Sequence, residues 1–358
     1  MERLNLSYFA ACNSENGFVN FFPKVFDDNL DKKYIIKGGP GTGKSHFMKK
    51  VAQQAVSNGY SVERIYCSSD PLSLDGIICR KSDGSYSFAM VDGTAPHVME
   101  MDLPGARDEM IQLGEFWRSE QLISEREQIQ RISLERKKAY GRLYHWLKAL
   151  GECKTIQGEI LSGCLREEKM TAFAKRLVAK RSEEERGEEK AIFTDGIGME
   201  GFTHISMLED NASLIYCIRD CGGIAYRLTK AIYEQAKLVG KDMIVAYDPL
   251  QPEKITGIFF KNAKILYLVR GEKTDLSEYG VDAHVISMKR FLHADCYGQM
   301  HADVRAVQKC ASLLEERILE QLDRIKALHF SLEAIYSAAM RFDDMNSFEE
   351  KLCREIVL

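Results

Sequence analysis

Short apolar runs of strand length alternate with helical periods along this chain, and the whole alternation occurs twice. In the first half, YIIK (Tyr34 to Lys37) is a buried-strand run, and Phe47, Met48, Val51, Ala52, Ala55 and Val56 then recur at helical spacing up to Gly59. Val62 to Tyr66 and Phe88 to Val91 read as further strands. In the second half SLIYCI, MIVAYDP and KILYLV repeat the strand signal. Strands separated by helical stretches predict an α/β protein with two tandem three-layer cores and mainly parallel sheets. A different pattern follows each core. Leu122, Ile129, Ile132, Leu143, Leu147 and Leu150 stand at close to heptad spacing, with a weak spot at Tyr140-Gly141. Val304, Val307, Ala311, Leu314, Ile318, Leu322, Ile325, Leu332 and Ile335 continue the same pattern near the end. Each stretch predicts a long helical hairpin or bundle, and the two are expected to pack on each other.

Sliding one half past the other aligns Phe9 with Phe193, Gly17-Phe18 with Gly201-Phe202, and GKSHFMKK from Gly43 with GIAYRLTK from Gly223. Asp70-Pro71-Leu72 then meets Asp248-Pro249-Leu250, and Val91-Asp92-Gly93 meets Val269-Arg270-Gly271. The constant order and slowly drifting offset imply an internal duplication. The expected domains are a first core at 1–117, a helical segment and linker at 118–190, a second, degenerate core at 191–300, and a C-terminal helical segment at 301–358. The charge-dense KRLVAKRSEEERGEEKA is the linker, with the boundary near Arg186 to Lys190.

The chemistry sits in KGGPGTGKSHF. Gly38, Gly43, Lys44 and Ser45 satisfy G-x-x-x-x-G-K-[ST], between a predicted strand and a predicted helix. Glycines let consecutive N–H groups and the helix N-terminus converge on one anion, so Gly38, Gly39, Pro40, Gly41, Thr42, Gly43, Lys44, Ser45 and His46 form a nucleoside triphosphate cradle. Lys44 is expected to reach the β and γ phosphates, and Ser45 to present its hydroxyl oxygen to Mg²⁺. Asp92, directly after an apolar strand, is the second Mg²⁺ partner, or alternatively opens an Asp-Gly turn. Gly93 and Thr94 follow it rather than a carboxylate that polarises water, so slow hydrolysis is expected. Asp70, beyond the strand Val62 to Tyr66, would share the crevice and accept a proton, or start an Asp-Pro turn. His97 would contact the γ-phosphate or a substrate, or be structural.

In the second copy Lys44 is replaced by Ile224, Ser45 by Ala225 and Asp92 by Arg270, so this half is expected to keep the fold and drop the chemistry. Arg219 and Arg270 then either lend a cation to the first site or, more simply, fill the space of the lost metal. RISLERKKAYGR, with Arg131, Arg136, Lys137, Lys138 and Arg142, would touch a polyanion, donate an arginine to the phosphate loop, or form a solvated face.

The net charge of -4 and pI near 6.1 argue against nucleic acid as a partner. Ten cysteines without CxxC or metal spacing, and no leader-like start, predict reduced thiols and a cytoplasmic protein. No apolar run approaches the roughly 20 residues that a membrane helix requires. The set GFVNFF, KGGPGTGKSHFMKK, CSSDPLSLDG, VDGTAPHV and LPGARDEMIQLGEFW resembles a group of uncharacterised bacterial P-loop ATPases with a duplicated nucleotide-binding core. In that group the second half often keeps its own GxPGTGKS-like loop, from which RDCGGIA departs. The resemblance implies ATP and Mg²⁺ as cofactors, with nucleotide contacts on Gly38 to Ser45 and Asp92, and leaves the small-molecule substrate or protein partner unspecified. No guanine-type N/TKxD motif is present, which favours ATP. The expectation is a Mg-ATP-binding NTPase whose slow hydrolysis drives a conformational change. A small-molecule or nucleotide kinase with Asp70 as base, and a nucleotide-gated scaffold without turnover, are the alternatives.

Overall fold

The computed structural model describes residues 6–26, 29–178, 185–272, 274–275, 277 and 279–357. The first half runs β1 (Ser7–Phe9), β2 (Ala11–Ser14), β3 (Gly17–Asn20), α1 (Phe22–Val25), β4 (Lys32–Lys37), α2 (Lys44–Ser57), β5 (Tyr60–Tyr66), β6 (Leu74–Lys81), β7 (Ser87–Asp92) and β8 (Asp108–Gln112). Helices α3 (Ser119–Ser124), α4 (Arg126–Ser162) and α5 (Glu167–Leu177) follow. The second half runs β9 (Glu189–Ile192), β10 (Asp195–Gly198), β11 (Gly201–His204), α6 (Met207–Asn211), β12 (Leu214–Arg219), α7 (Ala225–Val239), β13 (Met243–Tyr247), β14 (Ile255–Phe260), β15 (Ile265–Arg270) and β16 (Asp282–Ser287). It ends in α8 (Ala294–Ala338) and α9 (Phe342–Ile356).

The strands form two six-stranded sheets, ordered β1-β5-β6-β7-β4-β8 and β9-β13-β14-β15-β12-β16, in which matching strands of the two halves hold matching places. Both sheets are mixed. Pairs β1/β5, β4/β7 and β4/β8 are parallel, while β5/β6 and β6/β7 are antiparallel. Antiparallel neighbours are joined by tight connections and need no crossover helix. Of the connections between parallel strands, β1 to β4, β4 to β5 and β7 to β8, only β4 to β5 is made by a long helix, so each sheet has a single long crossover helix, α2 or α7. The expected helical layer on both faces is therefore replaced on one side. There, Ile35, Ile65 and Val91 of the first sheet share one core with Ile215, Ile244 and Phe259 of the second, and α1 and α6 contribute Phe22 and Leu208. Equivalent residues meet at a pseudo-twofold axis, where Phe9 and Phe193 each donate a main-chain N–H to the other's carbonyl at 2.9 Å.

Helices α4 and α8 pack antiparallel, with Ala139, Leu143, Leu147 and Leu150 against Ala311, Ile318, Leu322 and Ile325. Gly141 does not interrupt α4, because this packing outweighs the roughly 1 kcal/mol that glycine costs in a helix. The terminal helices are exchanged between halves. Helix α5 places Met170 and Ala174 on Leu228 and Ile232 of α7, whereas α9 places Met345, Leu352 and Cys353 on Phe47, Met48 and Val51 of α2. Glu189 and Lys190, expected in the linker, belong to β9, and Glu185 is already buried against Lys241 at 3.0 Å. Linker residues 179–184 lie outside the described residues. Against the expectation of reduced thiols throughout, Cys164 and Cys296 form a disulfide, because the turn after α4 meets the start of α8 with Cα atoms 5.5 Å apart. No described helix is long and apolar enough to cross a membrane.

One residue of α9 opposes its own docking. Glu349 is 0% exposed, and neither carboxylate oxygen has a hydrogen-bond partner among the described residues. Burial, offset in part by Lys50, pushes its pKa up to about 7. A carboxyl whose folded pKa is raised costs nothing while protonated, and the cost grows as pH rises from the ordinary range near 4.3 through 7. Glu349→Gln should therefore raise Tm by about 1–2 °C at pH 8, as expected for ~1 kcal/mol in a chain of 358 residues. A melt at pH 5 should show almost no difference.

Candidate functional site

Central strand β4 carries the site. Its neighbours are β7 on one side and β8 on the other; the chain leaves β4 toward one side through α2 and reaches the other side through β8. In sheets of this kind the crevice at such a reversal, beyond the carboxyl ends of the strands, is where ligands bind. The loop from Gly38 to Gly43 lies there, with Gly41 at φ +70° and Gly43 at φ +85° leading into the first turn of α2. Both values are in the left-handed region that favours glycine. Thr42, 1% exposed, braces the loop by donating its hydroxyl to the Gly39 carbonyl at 2.9 Å. The loop thus has built-in curvature over a helix N-terminus.

Lys44 and Asp92 are brought together. The Lys44 ammonium donates to the carbonyls of Gly38 at 3.1 Å and Gly39 at 2.8 Å, and lies 3.5 Å from Asp92 Oδ2. Register pairs Asp92, the last residue of β7, with Ile36 of β4, so the carboxylate faces the loop. Its other oxygen accepts from the Thr94 N–H at 2.9 Å and hydroxyl at 2.6 Å. Ser45 Oγ accepts the Leu74 N–H at 2.9 Å and retains its proton and a second lone pair. His46 is exposed on the first turn of α2. No group of three or more His, Cys, Asp or Glu gathers among the described residues. Mg²⁺ needs no such gathering, since it keeps waters and takes one or two protein oxygens beside substrate phosphates. Ser45 and Asp92 fit that donor set.

The remaining two candidates are tied into the protein. Asp70 receives the Ser73 hydroxyl at 2.5 Å and the Leu72 N–H at 3.3 Å, which is the turn alternative, although its charge still faces the crevice. His97 is 5% exposed and stacks on Phe22 at 4.7 Å. Its Nδ1 meets the Asp92 main-chain oxygen at 2.9 Å and its Nε2 the Asp75 carboxylate at 3.5 Å. Burial opposes its charged form, but Asp75 and Asp92 outweigh burial and raise its pKa. Both ring nitrogens are thus engaged with protein atoms and hold the end of β7.

Groups from the second half of the chain complete the crevice. Ser337 of α8 donates to the Gly41 carbonyl at 3.0 Å, and Tyr336 packs on Trp117 in a tilted pair, with ring centroids 5.5 Å apart, where a side chain on Gly39 would point. A Cβ on Gly41 would lie 2.9 Å from Glu333 Cγ, and one on Gly43 would lie 2.9 Å from Met345 of α9. One helical turn back, His329 accepts from Arg136 of α4 at 3.4 Å. Burial and that guanidinium hold the His329 pKa below its usual value. Arg136 is thus the one member of the basic run on α4 that enters this neighbourhood. The spacing of His329, Glu333 and Ser337 on one helical face was a signal available in the sequence; which core that face would meet was not.

The second core shows what replaced the site. Its loop, Asp220 to Ile224, is one residue shorter, and the Asp220 carboxylate accepts the N–H groups of Gly223 and Ala225, each at 2.8 Å. An internal anion thus occupies the N-terminus of α7. Arg270, at the end of β15 where β7 has Asp92, donates to Glu209 at 2.5 Å and contacts His204 at 2.9 Å. Arg219 donates to the Thr274 carbonyl at 3.1 Å. Both arginines stay within their own half and do not reach the first site. Compared with known proteins, the chain matches no family model, no curated protein and no solved structure. If Asp220 is the internal cap, Asp220→Ala should lower unfolding stability by about 1 kcal/mol, the usual cost of losing an N-terminal cap. Denaturant unfolding checks this, with no change expected in ligand binding at the first loop.

Proposed function

We propose that the first core is a P-loop NTPase-like site that binds ATP with Mg²⁺, and that slow hydrolysis there shifts the exchanged helices. The observation that carries the reading is the convergence of Lys44, Ser45 and Asp92 on a glycine loop at a helix N-terminus. Lys44 would swing from the loop carbonyls to the β and γ phosphates, and the loop N–H groups would receive the same anion. Ser45 and Asp92 would hold Mg²⁺, which neutralises charge on the phosphates during transfer. The same core then resembles the duplicated bacterial P-loop ATPases in the chemistry of its first half and departs from them in the second.

Coupling follows from contact. Helices α8 and α9 rest on Gly39, Gly41 and Gly43, so a ligand that reorders this loop changes the surface on which they pack. Order and release of loops by a γ-phosphate is a known form of switching. A nucleotide-gated scaffold without turnover is the second reading, favoured by the same covering of the loop. Release of ADP separates the two.

The purified protein should bind ATP in the presence of Mg²⁺. Lys44→Ala should weaken binding by about 10- to 100-fold, the range for losing a hydrogen-bonded charge on a phosphate. Asp92→Ala should bind ATP but lose ADP release. Titration calorimetry and a steady-state ADP assay check both, and intact ATP binding by Lys44→Ala would sink the assignment. The coupling has its own readout. In a Trp146→Phe background, ATP should alter the emission of Trp117, the only other tryptophan, which packs on Tyr336. Unchanged emission at saturating ATP would show that the loop and α8 move independently.

A further inference from the structure

Hydrolysis needs a group that takes a proton from the attacking water, and the end of β7 offers Gly93 and Thr94. Three carboxylates stand at this crevice. Asp92 is held by Lys44 and Thr94, and Asp70 by Ser73 and Leu72. Glu333, half-buried on α8, makes no hydrogen bond among the described residues. It lies against Gly41, within reach of the charges of Asp70 and Lys44. Burial and the nearby Asp70 carboxylate raise its proton affinity, with Lys44 opposing. His329 is the other candidate acceptor on this face, but its Nδ1 lone pair already faces the Arg136 guanidinium.

The pseudo-twofold axis supplies an independent comparison. Bridges Trp117–Met340 and Leu165–Leu292 make Met340 and Leu165 equivalent positions in the two halves. Counting back equally from each, Glu333 on α8 corresponds to Gly158 on α4, and Gly158 faces the degenerate loop at Gly223, beside Lys154, Gln157 and Leu161. The half that lost the lysine, serine and aspartate has glycine, not a carboxylate, at this position of its covering helix.

We propose that Glu333, supplied by the second half of the chain, is the general base of ATP hydrolysis at the first loop, an inference that rests on the ATP-site reading above. Glu333 takes a proton from water as the water oxygen bonds to the γ-phosphorus. The bond between the γ-phosphorus and the β–γ bridging oxygen breaks, its electron pair leaves with ADP, and the proton passes from Glu333 to solvent. Because α8 is held to the loop by Ser337 and Tyr336, the base would be in place only while the exchanged helix is docked. Turnover is thereby tied to the arrangement of the two halves.

The test uses the full-length chain with Mg-ATP and measures binding and ADP release separately. Glu333→Gln should keep its ATP dissociation constant within about threefold and lose at least about 100-fold in kcat, the low end for removing a general base. The acidic limb of the wild-type kcat–pH profile should vanish in that variant, and Glu333→Asp should recover part of the rate. Turnover by Glu333→Gln within about twofold of wild type would overturn the proposal, as would a larger loss in Asp70→Asn than in Glu333→Gln. ATP bound by wild type without any ADP release also overturns it and leaves the binding reading intact. Failure of wild type to bind ATP overturns the parent reading, and the binding arm shows that separately.

Discussion

The exchange of terminal helices between the two halves is the constraint from which the site follows. It is fixed by main-chain hydrogen bonds at two equivalent places. Arg118 N–H donates to the Ala339 carbonyl at 2.8 Å and Arg341 N–H to the Phe116 carbonyl at 2.9 Å; at the other place Arg166 pairs with Phe291 at 2.7 Å and His293 with Cys164 at 2.9 Å. Buried main-chain groups need partners, so each half's helical segment is locked to the opposite core rather than to its own. The consequence is that neither half contains a whole site. The glycine loop, Lys44 and Asp92 belong to the first half, while the surface that covers the loop belongs to the second.

This arrangement also explains why α8 and α9 tolerate uncomfortable groups. Glu333 and Glu349 both have raised proton affinity, and both stand on the surface that docks on the first core. Burying a carboxylate without a partner costs free energy that apolar packing must offset. Met345, Leu352, Cys353 and Ile356 supply that packing for α9, and the antiparallel seam with α4 supplies it for α8. The docked state is therefore stable in its apolar contacts and strained in its charges.

Local features were legible in the sequence because each has a local cause. The loop at Gly38 to Ser45 sits between strand and helix as its spacing predicts, Asp92 closes β7 facing Lys44, and the paired Phe9 and Phe193 that reveal the duplication lie on the pseudo-twofold axis itself. What was not legible depends on distant parts of the chain. Short apolar runs such as Ile77 to Cys79 in β6 do not state whether a strand joins its neighbours parallel or antiparallel, so the mixed sheets and the shared inner core were not visible. The heptad pattern of α8 predicts a seam with α4, but its polar face, with His329, Glu333 and Ser337, looks like an ordinary solvated surface until the opposite core is placed under it. The disulfide was hidden for the same reason, since Cys164 and Cys296 are 132 residues apart in sequence.

The two loops form a natural comparison within one molecule, since strand, crossover and covering helix are shared. In the second, Asp220 supplies the anion that the N-terminus of α7 attracts, and Arg270 with Glu209 and His204 fills the end of β15 with an internally neutralised cluster. Asp220 and the Arg270 cluster thus find their partners within their own half. In the first loop the lysine is satisfied by carbonyls that a phosphate can replace, the aspartate is shared with that lysine, and the carboxylate overhead has no hydrogen-bonding partner among the described residues. The duplicated fold thus holds one loop closed on itself and the other beneath helices of the opposite half.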